Sequence, residues 1–133
     1  MTQSYGIQRK LDMGFDAALA ALPGALKAQG FGVLTEIDIQ STLKQKLGVD
    51  FRRYRILGAC NPPFAYQALS AELEVGLMLP CNVIVYEGDD GGAVVTAVDP
   101  TATVATTGNP TLIALAEAVR ERLTQVLDSL RPA

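Results

Sequence analysis

The order of apolar and polar positions along the chain switches repeatedly between a period of two and a period near 3.6. Tyr5 to Leu11 alternates partially and reads as a short first strand. From about Phe15 to Gln29, the residues Phe15, Leu19, Leu22 and Leu26 fall on one face of a helix. Asp12 or Asp16 is its candidate cap. Pro23-Gly24 interrupts it, because Pro23 has no N–H for the carbonyl of Leu19, so a bend or two helical pieces are expected. Gly30 suits a left-handed end. Phe31 to Ile39 reads as a second strand, with Phe31, Val33, Thr35, Ile37 and Ile39 on one face and Leu34, Glu36 and Asp38 on the other.

Ser41 is the candidate cap of a short helix that runs to Leu47 and closes at Gly48. Phe51 to Ala59 forms a third strand, basic in its first half and apolar in its second. Asn61 as cap and Pro62 at the first helical position start a helix that runs to about Glu74, with Gly76 closing it. Leu77 to Glu87 is the fourth strand. The run Gly88-Asp89-Asp90-Gly91-Gly92 makes a hairpin into a fifth strand, Ala93 to Val98, which Asp99-Pro100 stops. After a loop of small residues, Asn109-Pro110 opens a last helix whose stripe is Leu112, Ala116, Val119, Leu123, Val126 and Leu130. That stripe fits packing on a sheet, and it also fits a dimer seam.

The resulting order, β-α-β-(α)-β-α-β-β-α, predicts an α+β fold: a mostly antiparallel five-stranded sheet with helices packed on one face. No linker or repeat divides residues 1–133, so a single domain is expected. With 49% apolar and 19% charged residues the chain is globular. A net charge of −3 argues against nucleic acid as a partner. No run of about 20 apolar residues suggests a membrane span, and Met1 to Tyr5 lacks the start of an export signal. Two cysteines without such a signal point to a cytoplasmic protein with reduced thiols.

The chain has no histidine, so the commonest general base and metal ligand is missing, and no serine triad can be built. Candidate chemistry rests on Cys60 and Cys81. Cys60 precedes a helix N-terminus, where free amides lower a thiol pKa. If the segment after the helix returns to the same sheet edge, the strands are antiparallel and the cysteines lie side by side. If it crosses over, they lie at opposite ends. Buried thiols also serve as small apolar packing residues. Their spacing matches no zinc pattern, and a metal would need carboxylates or thiols from two subunits. Glu36 and Asp38 are a same-face carboxylate pair suited to acid–base work or to solvation. Arg52, Arg53, Tyr54 and Arg55 form a cluster that suits an anion or a charged strand edge.

Gly30 to Asp38, Thr42-Leu43-Lys44, Lys46-Leu47-Gly48, Ile56 to Pro62, and Gly76 to Cys81 with Val83 to Glu87 resemble the domain-of-unknown-function 302 family. The Cys60-Asn61-Pro62 and Leu79-Pro80-Cys81 pieces are the specific ones. The resemblance implies a small α+β domain with a TBP-like arrangement, usually a homodimer, and no established activity. It marks Glu36, Asp38, Lys46, Cys60, Asn61, Pro62, Pro80 and Cys81 as recurrent positions.

The expected function is a homodimeric module binding a small ligand or soft metal near Cys60 and Cys81, with Glu36, Asp38, Lys46 and Asn61 as further ligand residues. The alternatives are a thiol redox protein, with Cys60 attacking and Cys81 resolving, and a protein-interaction domain. Neither an enzymatic activity nor a cofactor is specified.

Overall fold

The computed structural model describes residues 5–131. The expectation about an export signal rests mainly on residues 1–4, which lie outside them. Five strands form one sheet in the order β1-β5-β4-β3-β2, and every neighbouring pair is antiparallel. The strands are β1 (Gly6–Lys10), β2 (Gly32–Asp38), β3 (Tyr54–Cys60), β4 (Cys81–Glu87) and β5 (Ala93–Val98). The helices are α1 (Phe15–Ala28), α2 (Ile39–Leu47), α3 (Pro62–Ala71) and α4 (Pro110–Asp128). The expected α+β architecture and chain order are those found.

The main core lies between one face of the sheet and helices α1 and α4. Leu57, Val83, Val85 and Val95 meet Leu22 and Leu26 of α1 and Leu123 and Val126 of α4. A second, smaller cluster joins Ala68 of α3, Val75, Val104, and Leu112 and Ala116 from the first half of α4. The stripe of α4 thus packs within the fold: all six predicted positions are buried.

Several local expectations are corrected. Helix α1 runs through Pro23 as one element, because burial of Leu22 and Leu26 offsets the lost hydrogen bond, which costs about 3 kcal/mol in an isolated helix. Neither Asp12 nor Asp16 caps it; Gly14 does, without a side-chain bond, and Asp16 pairs instead with Arg53 at 3.0 Å. Gly30 follows with φ of 85°, the left-handed conformation expected of it. Strand β2 carries a register shift between Val33 and Thr35, which leaves Leu34 without a partner. This breaks the expected alternation, so Val33 lies opposite Ala59 and shares a sheet face with Glu36 and Asp38 rather than with Thr35 and Ile37. Ile39 is helical, and the cap of α2 is Asp38, whose carboxylate accepts from the Ser41 amide at 3.0 Å.

The segment between α3 and β4 differs most. Helix α3 stops at Ala71, short of the expected Glu74, and Leu73–Met78 winds into a 3-10 helix that takes in the expected closing Gly76 and the expected strand start at Leu77. A short apolar run fits strand and helical turn equally, and here Val75 is drawn into the second cluster. Two 3-10 turns, Pro100–Ala102 and Val104–Thr107, occupy the loop before α4.

Leu123 is fully buried, whereas Leu73 is 84% exposed. Leu123→Ala is expected to lower unfolding stability by about 2–5 kcal/mol and Leu73→Ala by less than about 0.5 kcal/mol, both read by denaturant titration.

Candidate functional site

Of the two connections left open by the sequence, the chain takes the returning one. Strands β3 and β4 are antiparallel neighbours, with Ala59 opposite Cys81. Both cysteines therefore sit at the same end of adjacent strands. They are staggered by one position, and strand alternation turns such side chains to opposite faces of the pleat. Both are free thiols. They still border one cavity, because Cys60 is the last residue of β3, where the chain turns into α3.

That cavity has a volume of about 310 Å³ and lies at the seam of the two hydrophobic clusters. Phe31 and Ala59 line it from the main core; Ala68, Val104 and Ala116 line it from the smaller one. Pro80 closes one side. A Cβ added at Gly58 would stand 2.8 Å from Pro80 Cγ and would also collide with Thr35, so the glycine lets the Pro80 ring approach the sheet. Asn61 is buried in the wall and ties α3 to the end of α1. Its Oδ1 accepts from the Phe64 amide at 3.5 Å, and its Nδ2 donates to the Gln29 carbonyl at 3.4 Å. Arg122 donates to the same carbonyl at 3.3 Å and lies over the Phe64 ring. Among the described residues, none with a charged side chain lines the cavity.

The Cys81 thiol is pushed up to about 11, chiefly by burial and further by the nearby Cys60. At neutral pH it is a protonated, weakly polar group and a poor nucleophile.

The structure thus gathers Cys60, Asn61 and Cys81 and places the other candidates elsewhere. Glu36 and Asp38 both pair with Arg55, Asp38 at 3.3 Å, on edge strand β2. Lys46 is exposed on α2. The basic cluster is spent on ties within the fold. Arg52 pairs with Asp89 at 3.0 Å, and Arg53 bridges Asp16 and Glu87, each at 3.0 Å. Nor does the cluster mark a sheet edge, since β3 lies between β2 and β4. Among the described residues, no three histidine, cysteine, aspartate or glutamate side chains come together as a metal-holding group, and no helix is long and apolar enough to cross a membrane. The apolar wall residues escaped sequence reasoning. They come from separate segments, and an alanine carries no local sign of facing a cavity.

Fold and site together define a small α+β domain with an apolar cavity edged by two thiols. The model of the domain of unknown function DUF302 matches residues 7–130, and the chain belongs to this family. The crystal structure of an uncharacterized conserved protein DUF302 from Bacillus stearothermophilus is similar, with a TM-score of 0.90 and 32% identity. The match covers 97% of this chain and 100% of that one. No protein of curated function matches the sequence.

Burial that favours the neutral thiol makes stability depend on pH. The folded pKa of about 11 exceeds the ordinary value of 9.0, so this contribution is full below pH 9 and is lost as pH rises towards 11. Two units correspond to about 2–3 kcal/mol. Thermal melts between pH 8 and 10.5 should show this decline, and Cys81→Ala should flatten it. At pH 8, Cys81 should hold about a hundredfold less thiolate than an ordinary cysteine and be alkylated correspondingly slowly.

Proposed function

We propose that this chain is a single-domain binding module that holds a small organic molecule in the cavity beside Cys60 and Cys81. The observation that carries the reading is the cavity itself. Protein interiors pack to the density of organic crystals, and a concave, largely apolar site of about 310 Å³ is at the lower end of the range that binds small ligands. A carbon-rich wall favours an organic molecule over a soft metal. The stagger of the thiols and the raised Cys81 pKa favour binding over a dithiol redox cycle. Free thiols suit a reducing, cytoplasmic setting.

The test is a ligand-observed NMR screen of neutral and charged fragments against the native protein and Ala65→Leu. Ala65 lines the cavity and is half-buried, so the larger side chain should fill the space with little loss of stability. Fragments that bind the native chain and are lost on Ala65→Leu support the reading; hits untouched by the substitution, or none at all, refute it.

The expected homodimer is part of the same proposal. Edge strand β2 exposes Val33, Leu34 and Ile37, and the chain just beyond it exposes Leu47, Val49 and Phe51. An unpaired apolar edge of this kind is ordinarily covered. Light scattering at micromolar concentration should give twice the chain mass, and Ile37→Lys should shift the protein towards monomer. A native monomer across that range would refute the dimer.

A further inference from the structure

We infer that the cavity is selective for an uncharged, largely apolar molecule of about ten to twelve heavy atoms bearing one hydrogen-bonding oxygen, such as a phenol, alcohol or ketone. This rests on the binding reading above and narrows it to a ligand class. Size comes first. A dry cavity of about 150 Å³ accepts benzene, so about 310 Å³ has room for twice that framework.

Charge comes next. Around the cavity the wall is hydrocarbon, apart from one carboxamide and two thiols. An ionised group taken from water into such a site without a partner is strongly disfavoured. Arg122 does not line the cavity; it donates to the Gln29 carbonyl and stands 5.6 Å over the Phe64 ring. The Cys81 thiol, protonated in its buried setting, adds no charge of its own.

The single polar handle is Asn61. Its amide orientation is fixed by its partners, because only Nδ2 can donate to the Gln29 carbonyl and only Oδ1 can accept from the Phe64 amide. Each atom then keeps unused capacity: one N–H on Nδ2 and one lone pair on Oδ1. A hydroxyl can use either, and a ketone can use the N–H. A buried amide with spare capacity in an otherwise apolar wall selects a ligand with one oxygen over a pure hydrocarbon.

The experiment uses the full native chain and three probes of one shape: 2-naphthol, 2-naphthoate and naphthalene, titrated by calorimetry or NMR at pH 7.5. The expected result is one site per chain, with 2-naphthol bound at least tenfold tighter than 2-naphthoate and about three- to tenfold tighter than naphthalene. Asn61→Ser keeps a capping side chain and should lower 2-naphthol affinity more than naphthalene affinity, erasing the three- to tenfold preference between them. Equal or tighter binding of 2-naphthoate overturns the charge selectivity but leaves the binding reading intact, provided that Ala65→Leu abolishes it. Equal affinity of native protein for naphthalene and 2-naphthol overturns the role of Asn61. Failure of all three probes to bind overturns both this inference and the reading it rests on.

Discussion

Burial of the apolar stripe on α4 is the constraint on which the rest of this structure depends. Its second half, Val119 to Leu127, packs with α1 on the sheet, and its first half, Leu112 and Ala116, packs with α3 and the 3-10 turns. One helix therefore serves both clusters, and α3 bridges them as well, with Phe64 against the main core and Ala68 in the smaller one. Where they meet, the facing positions hold small residues, Ala59, Ala65, Ala68 and Ala116, so the elements touch around a space instead of filling it. The cavity follows from side-chain size at the junction of two cores, and any ligand held there contacts both.

Charge is distributed so that this space stays neutral. The arginines of the β3 region are spent at the other end of the sheet, where Arg53 ties α1 to β4 and stands over the Phe15 ring at 4.8 Å, and Arg55 holds the two carboxylates of β2. Each of these pairs is at least partly exposed and contributes modestly to stability. Their larger effect is positional: they pin the edge strand and the start of α1 without a charge entering the apolar region. Asn61 performs the corresponding task at the cavity end with a neutral group, joining α3 to the end of α1 through the Gln29 carbonyl.

The cysteines gain their character from the same geometry. Cys60 ends β3 and directly precedes the start of α3. Its neighbour Cys81 lies in the low-dielectric seam, where the neutral thiol is favoured. The topology brings the two thiols to one end of the sheet, staggered by one position across antiparallel strands.

Much of this was legible in the sequence because it depends on neighbours a few residues apart. The stripe of α4, the Asn61-Pro62 and Asn109-Pro110 helix starts, the left-handed Gly30 and the Gly88 to Gly92 hairpin are all set by local backbone and capping physics, and each is found where expected. Those local rules, with the strand and helix order, also specified the α+β class. Local rules failed where distant contacts outweighed them: Pro23 stays in a continuous helix because Leu22 and Leu26 are buried, Leu73–Met78 becomes a 3-10 turn because Val75 joins the second cluster, and the bulge in β2 reverses the face of Val33. The sequence by itself determined the elements and marked Cys60, Asn61 and Cys81 as a place to look. Only the tertiary structure decided that these three share a cavity while Glu36, Asp38 and Lys46 lie apart from it, because a cavity is made by residues far apart in the chain and by the volume their side chains leave empty.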